Sequence, residues 1–264
     1  MSFGLIIIGD EILSGRREDR HMAKVIELLG ARGHALAWVR YIGDERPRIT
    51  AALKEAMDSG DIVFSCGGIG ATPDDHTRRC AALASGRALV LHPQARELIM
   101  ERVRKMAAEQ GWSADPEHPD TVRRLEMGVF PEGADLIENP FNKIPGFSIA
   151  DVHFVPGFPV MAHPMIESLL DTRYAHLHRQ GAWQERSVIV FGAMEATLTP
   201  LMEALESRFP GVKVFSLPSV DHPQWGRHIE LGVKGAPALL AEAYPALLAG
   251  LAEFPLKLGP ELVR

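Results

Sequence analysis

The residues best suited to chemistry in this 264-residue chain lie between Gly67 and Thr77, in the run Gly67-Gly68-Ile69-Gly70-Ala71-Thr72-Pro73-Asp74-Asp75-His76-Thr77. Glycines so closely spaced let a backbone turn tightly or come close to a ligand. When a strand enters such a loop and a helix leaves it, α/β proteins use it to hold phosphate groups. Two better-known versions are excluded: no Gly-Lys-Ser/Thr follows, as a Walker loop requires, and Gly-x-Gly-x-x-Gly is absent. The loop ends in Asp74 and Asp75 rather than in a lysine. Two carboxylates facing an anion repel it unless a divalent cation lies between them. The same residues also suit a plain turn followed by an acidic helix start, so the loop alone leaves both readings open.

The elements around the loop give it a frame. Asp61 to Cys66 has the apolar, β-branched pattern of a buried strand. Thr72 suits a helix N-cap and Pro73 the first helical position, with two carboxylates at the positive end of the helix. Phe3 to Gly9 is a continuous apolar run, as in strands covered on both faces of a parallel sheet. Gly9, Asp10 and Glu11 follow its carboxyl end, where open α/β sheets keep their ligands. Asp19 can cap a helix in which Met22, Val25, Ile26 and Leu29 recur at helical spacing. His34 to Ile42 reads as a second strand ending at Gly43-Asp44-Glu45, with helical Ile49, Ala52, Leu53 and Ala56 beyond it. Asp10, Asp44 and Asp75 therefore fall at one edge of the sheet. That convergence favours a Mg²⁺–pyrophosphate site more than any single acid does, although Asp44 also suits an N-cap.

Further along, Arg87 to Leu91 is a short strand and Pro93 to Gln110 a long helix with an apolar stripe of Ala95, Leu98, Ile99, Val103 and Met106. His153 to Pro159 is the second landmark. Pro156 and Gly157 form a turn that permits close approach, and Pro159 can open the helix that runs to about Gln180. A composition shift at Gln180-Gly181-Ala182 divides the chain into residues 1–180 and 181–264. The second part reads strand (Arg186 to Phe191), helix (Ala196 to Phe209), strand (Val212 to Leu217), strand (His228 to Lys234) and helix (Pro237 to Glu253). That order is a small α+β domain of the split βαβ, ferredoxin-like kind.

Composition narrows the function classes. A net charge of −6 with acids and bases interspersed argues against a nucleic-acid surface, and no apolar run approaches the ~20 residues of a membrane helix. Cys66 and Cys80 read as reduced thiols in a cytoplasmic protein.

The Gly67 to Thr77 run, together with Gly9-Asp10-Glu11-Ile12-Leu13-Ser14-Gly15, resembles the signature of the molybdopterin-binding fold. The branches most similar are competence/damage-inducible protein A and the molybdopterin-binding-like domain of FAD synthase, which share the doubled aspartate. Val155-Pro156-Gly157-Phe158-Pro159 is similar to the family's Leu-Pro-Gly-x-Pro loop, and Asp19-Arg20-His21 stands where relatives read Asp-x-Asn. The resemblance implies a three-layer α/β/α sheet domain with a smaller α+β C-terminal domain. It implies that Asp44 and Asp75 are catalytic and hold Mg²⁺ or another divalent cation (Co²⁺, Mn²⁺). The ligand would be a nucleotide or a pterin, molybdopterin included, lying against Gly9, Asp10, Glu11, Gly15, Asp19, Gly67, Gly68, Gly70, Thr72, Asp74, Thr77, Pro156, Gly157 and Pro159. Gly67 to Gly70 would hold the phosphates by backbone amides, so a valine at Gly68 is expected to block the ligand sterically, with any loss of stability secondary. Hydrolysis of ADP-ribose- or FAD-like compounds is the implied activity. Binding without turnover and molybdopterin adenylylation are the alternatives. A homodimer is expected, since symmetric pairs are the commonest assemblies, with Trp183, Phe215 and Trp225 as candidate anchors.

Overall fold

The computed structural model describes residues 2–111, 113–178 and 184–264. The chain divides into two compact units, Met1–His178 and Arg179–Arg264.

The first unit begins β1 (Phe3–Ile8), α1 (Asp10–Leu13), α2 (His21–Gly30), β2 (Leu36–Ile42), α3 (Arg46–Ser59), β3 (Ile62–Cys66) and α4 (Thr77–Ser85). It continues β4 (Leu89–Leu91), α5 (Pro93–Gln110), α6 (Pro119–Leu125), β5 (Val129–Pro131), β6 (Asp135–Ile137), β7 (Gly146–Ile149), β8 (Val152–Val155) and α7 (Pro159–Thr172). Six strands form the main sheet in the order β2-β1-β3-β8-β7-β6. The first four run parallel, and β7 and β6 complete the edge as an antiparallel hairpin. Successive β1 side chains point to opposite faces. Leu5 and Ile7 pack with Val25 and Leu29 of α2 and Ile166 and Leu170 of α7. Ile6 and Ile8 pack with Ile49 and Leu53 of α3 and Cys80 and Ala81 of α4. Apolar side chains are thus buried on both faces, which is why β1 reads as a continuous apolar run, and the unit has three α/β/α layers. Both cysteines are free and buried.

Two local expectations are corrected. The helix after the glycine loop starts at Thr77, not at Thr72. The Asp75 carboxylate accepts from the Thr72 amide (2.8 Å) and hydroxyl (2.6 Å), and this side-chain turn displaces the first helical turn. In α2, Ile26 is exposed while Leu28 joins the core. The expected short strand is present at Leu89–Leu91 and pairs with β5 in a separate two-stranded ribbon.

A buried polar chain crosses the opposite end of β8 from the glycine loop. His153 lies between the Ser148 hydroxyl (2.7 Å from Nδ1) and the Tyr174 hydroxyl (2.6 Å from Nε2), and Tyr174 donates to Asp151 (2.7 Å). With its proton on Asp151, the Tyr174 oxygen accepts from Nε2–H, which leaves Nδ1 to accept from Ser148. Burial, reinforced by the Arg173 charge, lowers the His153 pKa from 6.5 to about 3, with Asp151 opposing. The folded imidazole stays neutral where the unfolded one is charged, so the unfolded state binds the extra proton. This contribution to stability is complete above pH 6.5 and is lost as the pH falls toward 3, with a slope of up to about 1.4 kcal/mol per pH unit. His153→Gln is expected to flatten the dependence of the urea midpoint on pH between about pH 4 and 6. An unchanged slope would assign that acid sensitivity to other groups.

The second unit contains β9 (Gln184–Phe191), α8 (Glu195–Arg208), β10 (Lys213–His222), β11 (Gly226–Gly235), α9 (Pro237–Leu251) and β12 (Lys257–Val263). Its antiparallel sheet has the order β10-β11-β9-β12, the complete βαββαβ arrangement of a ferredoxin-like unit. The sequence reading lacked β12. This edge strand carries Gly259 and Pro260, and its pairing with β9 shifts register between Leu258 and Glu261, so a bulge accommodates them. Buried Glu230 accepts from Ser187 (2.7 Å) and from Arg264 (2.7 and 3.3 Å), which leaves no unpaired charge there. The Phe215 ring covers Gly232, and Trp225 stacks on His222 at 4.5 Å, so both half-buried aromatics pack within their own unit. Trp183 and the Gln180–Ala182 boundary lie outside the described residues. Among the described residues no helix is long and apolar enough to cross a membrane.

Candidate functional site

The carboxyl ends of β1, β2, β3 and β8 meet at one edge of the main sheet, and the site is built from their backbones. The Gly9 amide donates to Ile42 (3.0 Å). Beyond it, the Asp10 amide donates to Asp44 Oδ2 (2.9 Å) and the Asp44 amide returns a bond to Asp10 Oδ1 (3.2 Å). The ends of β1 and β2 are thereby joined by a reciprocal pair. Asp44 does not cap α3, whose N-cap residue is Glu45, without a side-chain cap.

Gly67 joins β1, β3 and β8. Its amide donates to Val155 (3.0 Å), a Cβ on it would overlap the Ile8 carbonyl oxygen, and a Cβ on Gly157 would lie 3.4 Å from its Cα. With φ of 107° at Gly67 and 68° at Gly68, both positions also require glycine conformationally. A Cβ at Gly68 would overlap the Thr77 hydroxyl, so a valine there disturbs the loop's own packing before it meets any ligand. A loss of stability is therefore not secondary to the blocking of a ligand, as the sequence suggested. Thr77 is fully buried, its hydroxyl donating to the Gly67 carbonyl (2.9 Å) and its amide to the Gly68 carbonyl (2.9 Å).

The loops surround a cleft lined by Ile8, Gly9, Glu11, Arg17, Asp44, Gly67, Gly68, Asp74, Asp75, Gly157 and Phe158. Of the predicted site residues, the fold brings Gly9, Glu11, Asp44, Gly67, Gly68, Asp74, Asp75 and Gly157 to it. Asp10, Gly15, Asp19, Gly70, Thr72, Thr77, Pro156 and Pro159 are not among its lining residues, and several of them hold the lining in place. The Thr72 hydroxyl lies 2.5 Å from Asp74 Oδ1 and 2.6 Å from Asp75 Oδ2, with one proton to share between them. Asp19 accepts from the amides of His21 (2.8 Å) and Met22 (3.1 Å) at the start of α2, and from the Tyr41 hydroxyl (2.8 Å). Pro159 opens α7.

Three residues missed in the sequence complete the frame. His21 is buried and its Nε2 lies 3.1 Å from the Gly157 carbonyl. Burial lowers its pKa, so the ring is neutral and donates through Nε2–H. Arg78 donates to the Gly70 carbonyl (2.5 Å) and to the Glu126 carbonyl, fixing the far side of the glycine loop. Arg17 lies beside Phe158, 5.9 Å from the ring centre. In the sequence each looks like a surface residue. The departure from Asp-x-Asn was the available signal for His21, and nothing marked Arg78 or Arg17.

The electrostatics are one-sided. Burial pushes the Asp44 carboxyl above its ordinary range. The Asp10 amide opposes this, and the charges of Asp10, Glu11 and Asp74 add to it. The Thr72 hydroxyl and the backbone amide hold Asp74 below the usual carboxylate range. Among the described residues no group of three or more His, Cys, Asp or Glu side chains is placed to cage a metal ion. The cleft's donors are hard carboxylate oxygens. They suit a divalent cation that takes its remaining ligands from phosphate and water, as Mg²⁺ does, rather than an all-protein cage.

Residues 4–176 match the family described as "Probable molybdopterin binding domain". The chain is 31% identical over 223 residues to the CinA-like protein of Syntrophotalea carbinolica, covering 79% of this chain and 51% of that protein. It is also 31% identical over 236 residues to a protein of Pyrobaculum calidifontis, covering 85% of each. The chain thus spans about half the length of the CinA-like relatives it matches and most of the archaeal one. Among solved structures, the CinA protein of Thermoplasma acidophilum, described as of unknown function, superposes with a TM-score of 0.53 at 26% identity, over 65% of this chain and 98% of that one. The family match runs from β1 through α7 and so takes in every strand end around the cleft: the chain belongs to the molybdopterin-binding domain family, in the company of CinA-like proteins.

Proposed function

We propose that this chain is a divalent-metal-dependent nucleotide pyrophosphatase acting on ADP-ribose- or FAD-like compounds. The observation that carries the reading is the composition of the cleft, in which Glu11, Asp44, Asp74 and Asp75 face backbone supplied by Gly9, Gly67, Gly68 and Gly157. Carboxylates alone would reject a pyrophosphate, and glycine backbone alone would not hold a cation. Together they suit a cation paired with a diphosphate. Asp44 and Asp75 would hold the ion. When bound, it supplies charge neutralisation across the anhydride and a water of lowered pKa.

The protein's own part is positioning. The Gly67 amide is engaged by Val155, so of the loop glycines that line the cleft it is Gly68 whose amide is left to meet phosphate oxygens. Arg78 holds the Gly70 carbonyl and His21 the Gly157 carbonyl, which keeps both acceptors occupied and away from an anion. A cytoplasmic setting and a symmetric homodimer accompany this reading.

The test is release of AMP from ADP-ribose and FAD, with NAD and ATP alongside, in Mg²⁺, Co²⁺ or Mn²⁺ and in EDTA. Metal-dependent AMP release from ADP-ribose or FAD is expected. Nucleotide binding with no product under any ion would make the chain a binding module instead.

A further inference from the structure

The cleft has a volume of about 110 Å³. Pockets that enclose a drug-sized ligand are larger, roughly 300–1,000 Å³. It has room for a pair of phosphates, and its open side leaves a base attached to them to lie against the rim. Phe158, 53% exposed, and Arg17 stand among the lining residues. Arg17 is the cation among those lining residues, and it makes no ion pair among the described residues.

Beyond their contact with each other, neither side chain makes a hydrogen bond or ion pair among the described residues, while their backbones are fixed. The Arg17 amide donates to the Glu11 carbonyl (3.0 Å). The Phe158 carbonyl accepts from Met161 (3.0 Å) and Ala162 (2.9 Å) at the start of α7. The guanidinium carbon lies 5.9 Å from the Phe158 ring centre, too far for close stacking. A flat ring inserted between two planes needs roughly 7 Å, two contact distances of about 3.5 Å. Two exposed side chains can widen by the difference, and arginine and phenylalanine both present planar faces to a base.

From this geometry we infer that Arg17 and Phe158 form a clamp for the planar base of a nucleotide whose diphosphate lies in the cleft. The inference rests on the diphosphate placement proposed above and adds the selection of ligands by their base. Compounds joining a flat heterocycle to a diphosphate are preferred over the bare anion.

Titration calorimetry with ADP and with inorganic pyrophosphate, both in Mg²⁺, tests it without relying on turnover. The wild type should bind ADP more tightly than pyrophosphate. Phe158→Leu keeps apolar bulk but loses the flat face, and Arg17→Lys keeps the charge but loses the plane. Each should weaken ADP about tenfold and leave pyrophosphate unchanged. The clamp is overturned by equal wild-type affinity for the two ligands, by no ADP binding, or by variants that weaken both ligands alike or neither. Base-dependent binding without hydrolysis of any substrate would keep the clamp and remove the pyrophosphatase reading. Retained circular dichroism spectra in the two variants would exclude misfolding as the cause.

Discussion

Replacing Asp44 or Asp75 by asparagine is expected to lower metal-dependent AMP release at least about 100-fold while the melting temperature stays within a few degrees. The two effects separate because each carboxylate has two tasks that differ in charge. Asp44 Oδ2 accepts the Asp10 amide, and Asp75 Oδ2 accepts the Thr72 amide. An asparagine carbonyl oxygen can accept both bonds, so the loops keep their shape. It cannot supply the negative charge that a divalent ion needs. Removing charge at Asp44 also relieves the burial that already pushes its carboxyl toward the neutral form, so no loss of stability arises there. Asp10→Asn is the comparison variant. Asp10 accepts the Asp44 amide and is not among the cleft residues, so its effect on turnover should be the smaller. Initial rates with thermal melts check all three, and wild-type rates in the first two would remove the metal assignment.

Gly67→Ala should unfold the first unit more readily than any other single added methyl group in the glycine loop. The new Cβ would overlap the Ile8 carbonyl, a backbone atom in a buried strand that has no rotamer with which to yield. It would also take an alanine to φ of 107°. The expected loss is roughly 3 kcal/mol or more, from backbone strain and overpacking together. Gly60 separates the two causes. It has φ of 70° at the end of α3, with nothing within 4 Å of its added Cβ, so Gly60→Ala should cost only about 1 kcal/mol. Urea midpoints decide between them, and equal losses would show that the Ile8 contact is unimportant.

The sheet was legible because its signals are strong and local. β1 and β3 are continuous apolar runs with glycines at their carboxyl ends, so their burial and the position of the loops followed directly. The acids on those loops were legible for the same reason, since a strand end fixes an edge of the sheet. The purpose of each acid was not. Whether an aspartate faces a cleft or an amide depends on what lies opposite, and for Asp10 that is Asp44, on another strand end. Thr72-Pro73-Asp74-Asp75 misled because residues good at capping a helix are equally good at folding back on one another. His21, Arg78 and Arg17 stayed hidden because each earns its place through a distant partner or a shared rim, which periodicity does not record.

The joining of β8 to β3 through Gly67 has a consequence for the order in which the protein is made. Translation delivers β1, β2 and β3 first, and these three strands can pair as soon as they leave the ribosome. The Val155 carbonyl that engages Gly67 and the Gly157 carbonyl that engages His21 emerge much later, the latter 136 positions after its partner. Until then the nascent sheet has an open edge at β3, and the wall that Gly157 and Phe158 give the cleft does not exist. The complete cleft is therefore available to a ligand only after Phe158 has emerged, although the loops after β1, β2 and β3 that carry its acids are made long before.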